Sequence, residues 1–286
     1  MSHEGLASNG IAHWRVGLIP MCRWIAYRGE RTALERYVTA PDHSLIHQSL
    51  HALESEGTTN GDGFGLGWYT PRETEPGIYR EIRPAWSDDN VRNLCRHIRS
   101  KLFFAHIRAS TGTATTRPNC HPFTYGKWMF MHNGQIGDWP LIRRQVEGLI
   151  DDKFYSRRFG TTDSEAVFLA MLSNGLENDP VGATARTLST VTDFVKKSGT
   201  EKPVRFTAAL SDGKNLFAFR YASDDTATSL YYRDIGDAAL IVSEPLDMDR
   251  TFWKPVPANH LIVASEGRPV EPQPFAVEPP QLRAVG

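Results

Sequence analysis

Short apolar runs rich in β-branched and aromatic residues recur along this chain, each of strand length and each bounded by turn residues. They fall at Trp24–Tyr27, Leu66–Tyr69, Leu102–Ile107, Trp128–His132, Phe206–Leu210, Leu216–Tyr221, Ser229–Tyr232, Ala239–Val242 and Leu261–Ala264. A chain with so many strand candidates must pair them into sheets and bury at least one face of each sheet. Helical signals are fewer. Val91, Leu94, Cys95 and Ile98 fall at i, i+3, i+4 and i+7, one face of a helix that Ser87 or Asp88 can cap. Thr162-Asp163-Ser164-Glu165 has the capping-box pattern and opens Ala166–Leu172, which is apolar enough to be buried all round. A third helix is expected over Thr184–Lys197, ended by Gly199. The pattern predicts an α/β (α+β) domain, sheets covered by helices, and leaves open whether the sheets stack.

An apolar fraction of 40% in 286 residues supports a large core. Interior linkers, repeats and low-complexity segments are absent, so one domain is expected over residues 22–266. Residues 1–21 read as a leader or a mis-assigned start, and residues 267–286 as a tail with five prolines. The formal net charge is −1 and the densest basic cluster is Arg157-Arg158, which excludes the basic stripe of a nucleic-acid binder. No apolar run approaches the ~18–20 residues that span a bilayer. Residues 1–20 lack the basic start and apolar core of an export signal. Three cysteines, Cys22, Cys95 and Cys120, make no disulfide framework, and a reducing, cytoplasmic compartment is expected.

Several short segments can carry chemistry, and each also has a plain structural reading. Cys22 is either a small hydrophobe at a strand edge or a nucleophile. Were a chain to begin there, its α-amine, with a pKa of about 7.7–8.0, would lie within reach of the sulfur and could take its proton. Arg108 follows an apolar run and is either a surface residue or a bidentate clamp for a carboxylate. Asn133-Gly134 is either a hairpin turn or an oxyanion hole of side-chain amide and backbone N–H. Asp163 either complements a helix dipole or pairs with a substrate ammonium. Cys120 and His121 are adjacent in an extended segment and so face opposite ways, which argues against a working pair. Asn60-Gly61-Asp62-Gly63-Phe64-Gly65-Leu66-Gly67-Trp68 lacks the helix and Lys/Ser pair of a phosphate loop. Its glycines instead suit a strand that another backbone or a ligand approaches closely.

In chain order these segments are Met-Cys-Arg, the glycine-rich run ending in Trp68, His-Ile-Arg-Ala-Ser-Thr from His106, His-Pro-Phe from His121, His-Asn-Gly from His132, and Thr-Asp-Ser-Glu from Thr162. The set resembles the glutaminase domain of class II glutamine amidotransferases, which are N-terminal-nucleophile hydrolases. The stand-alone members, γ-glutamyl amidohydrolases among them, are the nearer likeness, and it runs from about Cys22 to His260. It implies a four-layer αββα sandwich and hydrolysis of a γ-glutamyl amide, of glutamine or another γ-glutamyl small molecule, without cofactor or metal. Cys22 would be the nucleophile with its α-amine as base, and Asn133 with the N–H of Gly134 would hold the oxyanion. Arg108 would bind the substrate α-carboxylate and Asp163 its α-ammonium, while Thr111 and His121 would line the pocket. One cation and one anion suit a zwitterionic amino acid, as the residue types themselves suggest.

Two features depart from the family pattern. The chain carries residues ahead of Met21, where family members begin at the cysteine once the initiator is removed. It also holds no synthase domain, so an ammonia acceptor would sit on a separate subunit. A non-catalytic glutamine-binding module, its nucleophile blocked by the leader, is the alternative. A metal site of His106, Cys120, His121 and His132 lacks the usual ligand spacing.

Overall fold

A computed structural model describes residues 21–53, 59–110, 112–224, 226–236 and 238–279. Strand β1 (Arg23–Ala33) leads into two short helices, α1 (Glu35–Val38) and α2 (Leu45–Leu50), then β2 (Phe64–Trp68) and β3 (Gly77–Glu81). Helix α3 (Asp89–His97) precedes β4 (Arg99–Ile107), β5 (Phe123–Tyr125) and β6 (Trp128–Ile136). Helices α4 (Trp139–Glu147), α5 (Asp152–Tyr155), α6 (Asp163–Ser173) and α7 (Pro180–Lys197) follow. The chain closes with β7 (Val204–Ser211), β8 (Leu216–Ala222), β9 (Tyr231–Asp234) and β10 (Ala239–Val242). The last strands are β11 (Lys254–Pro255), β12 (His260–Ala264) and β13 (Pro272–Pro274).

The strands form two antiparallel sheets, in the orders β11-β9-β10-β1-β4-β2-β3 and β13-β12-β8-β7-β6-β5. Period-2 alternation decides what each face meets. On β1, Ile25 and Tyr27 join a core with α1, α2 and α3, whereas Trp24 and Ala26 point at the other sheet. On β6, Phe130 and Ile136 pack under α4, α6 and α7, and Met129 and Met131 meet the first sheet. The result is helix, sheet, sheet, helix, the four-layer αββα sandwich. Helix α6 is the expected all-round buried element, with Ser164 to Leu172 all buried. Phe168 stacks on Phe130 at 5.3 Å between ring centres. Among the described residues no helix is long and apolar enough to cross a membrane.

Several local expectations are refined. Asn133-Gly134 is no hairpin turn: both residues lie inside β6 and pair with Thr207 and Phe206. Phe206 and the neighbouring strand β7 continue the sheet past them, so the local turn propensity is overridden by pairing. The capping box at α6 forms on one side only. Thr162 Oγ1 accepts the N–H of Glu165 at 3.2 Å. Glu165 reaches instead to the N–H groups of Phe159 (3.1 Å) and Gly160 (2.8 Å) and to Arg158 (2.5 Å). Helix α7 begins at Pro180, earlier than expected, because Asp179 accepts the N–H of Gly182 at 2.9 Å and proline suits the first turn. Packing also runs beyond residue 266. Strand β13 adds to β12, and Phe275, 3% exposed, packs against Phe219 and Tyr221. Prolines serve there because β13 is an edge strand.

Candidate active site

One cleft with about 660 Å³ of atom-free space, its open mouth included, lies where the two sheets meet α6. Its lining includes Cys22, Arg108, His121, Asn133, Gly134 and Asp163, brought there from different elements. Arg23 pairs with Ile107 across β1 and β4, so Cys22 just before β1 falls beside Arg108 just after β4. Asn133 comes from β6, and Asp163 is the first residue of α6. Thr111 lies outside the described residues.

The Cys22 sulfur accepts the N–H of Ala109 at 3.4 Å and donates to its carbonyl at 3.6 Å. Burial pushes this thiol pKa up, and the Ala109 N–H, Arg108 and Arg23 oppose that only in part. A thiol in this setting needs a base before it can attack. Here the nitrogen of Cys22 is bonded to Met21, which also lines the cleft.

Arg108 is 3% exposed, and its guanidinium is oriented before any ligand arrives. Nη2 donates to Thr113 Oγ1 (2.6 Å) and to Ser110 Oγ (3.1 Å), and Nη1 to the Asp62 carbonyl (3.3 Å). Asp62 also accepts the N–H of Ser110 at 2.7 Å. The front of the glycine-rich segment is thus a brace for the Arg108 loop. Across the cleft, Asp163 Oδ2 accepts the N–H of Ile136 at 3.2 Å and Oδ1 that of Ser164 at 2.7 Å.

Asn133 is 2% exposed and its Nδ2 has no partner among the described residues. A buried amide donor without an acceptor is unusual, and this one is free to donate to a group entering the cleft. Gly134 tolerates no side chain, since a Cβ there would lie 2.0 Å from the Arg205 carbonyl and 2.7 Å from His132 Nε2.

Three histidines, His121 and His132 in the cleft lining and His106 stacked against His121, are held uncharged by burial. His106 is pushed down to about 3, His121 well below its ordinary value, and His132 down as well. The His106 and His121 rings stack at 4.1 Å. His132 Nε2 donates to the Arg205 carbonyl at 3.1 Å, which leaves Nδ1 to accept from Ser164 Oγ at 2.9 Å. That tautomer is assigned from the network. Cys120 points the other way from His121, its sulfur against the carbonyls of Glu81 (3.5 Å) and Thr116 (3.6 Å), and burial raises its thiol to about 11.

Glycines of β2 permit the floor. A Cβ on Gly65 would sit 2.0 Å from the His121 carbonyl, and one on Gly67 would sit 2.3 Å from Met129 Sδ. At Gly65 the expected close approach is made by the backbone of His121, in the segment just before β5. Four lining residues escape sequence inspection: Thr113, Gln135, Arg205 and Thr228. Only Gln135 carried a usable signal, being two residues from Asn133 on the same strand face.

The sequence pattern of the class-II glutamine amidotransferases matches residues 39–234. The chain belongs to that family. It is 31% identical to the probable glutamine amidotransferase DUG3 of Saccharomyces cerevisiae, over 85% of this chain and 81% of that protein. It is 28% identical to the gamma-glutamyl-hercynylcysteine sulfoxide hydrolase of Mycolicibacterium smegmatis, over 85% of this chain and 95% of the other. Among solved structures, the class-II glutamine aminotransferase domain protein from Silicibacter pomeroyi superposes with a TM-score of 0.71 at 37% identity, covering 89% of this chain and 100% of that one. The glutamine phosphoribosylpyrophosphate amidotransferase of B. subtilis, at 14% identity and a TM-score of 0.56, covers 90% of this chain and 50% of that one, and shares the fold alone.

Proposed function

We propose that this protein hydrolyses γ-glutamyl amide bonds, with Cys22 as nucleophile. The observation that supports it best is the convergence of a thiol, a guanidinium, an unpartnered amide and a carboxylate on one cleft. Arg108 and Asp163 take the α-carboxylate and α-ammonium of the glutamyl group, which lays its γ-carbonyl toward Cys22. The sulfur bonds to the carbonyl carbon as its proton passes to the Cys22 α-amine. Asn133 Nδ2 and the Gly134 N–H stabilise the oxyanion. Collapse breaks the C–N bond, and the leaving nitrogen takes the proton back from the α-ammonium. Water, deprotonated by the same amine, then splits the thioester and releases glutamate.

This chemistry needs a basic amine, and an amide nitrogen has none. The working form therefore begins at Cys22, residues 1–21 being absent through initiation at Met21 with removal of that methionine, or through cleavage. The amidotransferase unit begins at residue 22 and runs past residue 266, since β13 pairs with β12 and Phe275 packs in the core. Released ammonia or amine goes to water or to an acceptor on a separate subunit, and the free thiols suit the cytoplasm. Incubation with glutamine and a panel of γ-glutamyl compounds, with glutamate measured and intact mass recorded, tests the reading. Protein beginning at Cys22 releases glutamate, the intact 286-residue form does not, Cys22→Ala abolishes release and Cys120→Ser keeps most of it. Equal activity from the intact long form overturns the α-amine mechanism. The non-catalytic reading requires that the form beginning at Cys22 bind glutamine without turnover.

A further inference from the structure

Directly behind Cys22 lies a charged cluster shut off from solvent. Arg23 and Glu244 are each 0% exposed. Arg23 Nε donates to Glu244 Oε2 at 2.8 Å, and Nη1 donates to the carbonyls of Cys22 at 3.0 Å and Met21 at 3.1 Å. Glu244, just past β10, is itself held from another part of the chain. His43 Nε2 lies 2.5 Å from its Oε1, and that oxygen also accepts the N–H of Leu53 at 2.9 Å. Gln48, on α2, donates to the Glu244 carbonyl at 3.3 Å.

A buried ion pair is weak evidence for stability, because apolar residues of similar volume often pack as well. The placement of this one points elsewhere. Arg23 does not line the cleft, so it cannot read the substrate. It grips the main chain of the residue whose sulfur and nitrogen the proposed reaction uses. The Cys22 carbonyl bond fixes the direction in which the α-nitrogen and the sulfur project. The charge acts on both groups with one sign: a cation beside them favours the neutral amine over the ammonium and the thiolate over the thiol.

We propose that Arg23, clamped by Glu244 and His43, is a positioning residue that aims Cys22 and supplies the positive field that keeps its amine unprotonated and its thiol ionisable. This inference rests on the reading of Cys22 as nucleophile. The other charges facing Cys22 are Arg108 at the end of β4 and Asp163 on α6, and Glu244 and His43 face Arg23. Substituting Arg23 or Glu244 therefore changes the field from behind and leaves the substrate-binding charges in place.

The test reads Cys22 directly. Iodoacetamide alkylation of that thiol, followed against pH by peptide mass mapping in the form beginning at Cys22, gives its titration without relying on turnover. Arg23→Met should move the titration up by about one pH unit or more. Glu244→Gln, which leaves the Arg23 charge less compensated, should move it down. Arg23→Lys keeps the charge and loses the fork, so it should titrate near the parent while kcat falls about 10-fold and KM stays within about twofold. Equal titration of all variants, or a shift of Arg23→Met and Glu244→Gln in the same direction, overturns the proposal. If Arg23→Met does not fold, absence of the downward shift in Glu244→Gln overturns it alone. Loss of glutamate release in Cys22→Ala alongside unshifted titrations would sink this inference and leave the proposed function standing. Undiminished release in Cys22→Ala would remove both.

Discussion

Asp163 Oδ2 accepts the main-chain N–H of Ile136 at 3.2 Å, and this bond ties the first turn of α6 to the strand carrying Asn133 and Gly134. The proposed ammonium partner and the proposed oxyanion donors are thereby set at a fixed offset. Asp163→Asn keeps an acceptor for Ile136 but removes the charge. It should raise KM for glutamine by roughly 10-fold or more, since a hydrogen bond to a charged group contributes about 1.5–3 kcal/mol. Thermal unfolding should move little. Asp163→Ala loses both functions and should also lower the melting temperature. An Asp163→Asn enzyme with unchanged KM returns the residue to a helix-dipole role.

Asn133 is tested through turnover. Its Nδ2 lacks a partner among the described residues, so under the proposed mechanism Asn133→Ala removes a donor that matters only when charge develops on the substrate oxygen. kcat should fall by about 10²–10³ with KM nearly unchanged. Stability should be little affected, because no protein hydrogen bond to Nδ2 is lost. Unchanged steady-state turnover would refute the oxyanion role.

Arg108 divides into a charge and a posture. Arg108→Ala should lower kcat/KM for glutamine by roughly 10- to 150-fold. Thr113→Val removes the 2.6 Å bond that orients the guanidinium but keeps the charge. Its loss should be several-fold smaller. If the two variants prove equally impaired, Arg108 acts through the loop and makes no direct pair with substrate.

The buried histidines predict how stability depends on acid. His106, His121 and His132 stay neutral in the fold and protonate readily once unfolded, so the unfolded state binds more protons below about pH 6.5. Stability is full above that pH and drains as pH falls toward 3, the value to which His106 is lowered. Each histidine contributes at most about 1.4 kcal/mol per pH unit. Carboxylates whose pKa is lowered, such as Glu81 and Asp179, act below their ordinary range, so the interval from about pH 6.5 to 5 isolates the histidines. Urea midpoints should drop across that interval, and His106→Gln should flatten the drop. Equal midpoints at pH 7 and pH 5 would contradict the buried-neutral state.

Leu102–Ile107 and Ala239–Val242 were legible as continuous apolar runs, because both faces of these strands are buried. Phe123–Tyr125 and α5 are too short to show a period, and only the sheet edge and the helical layer hold them in place. Asn133-Gly134 misled as a turn because pairing with β7 is a long-range fact that local propensity does not contain. Glu165 misled as a reciprocal cap because its partners, Phe159 and Gly160, precede the helix in a loop without any pattern. At the site, Arg108 and Asp163 stood out as a cation after a strand and an anion at a helix start, and both line the cleft. Arg205 and Thr228 reach the cleft only through the meeting of β7 with a later loop, and composition carries no trace of that.

The glycines of β2 carry a consequence for how such a protein can change. Opposite Gly65 the backbone carbonyl of His121, just ahead of β5, comes so near that a hydrogen is the largest group that fits. A methyl added there would push against the His121 backbone and so against the cleft floor. Variation at the floor and variation in β2 are therefore not independent: a drifting lineage must alter both together or neither. Gln135, Arg205 and Thr228 line the same cleft without contacting Gly65, so substitutions there are not tied to β2 in this way.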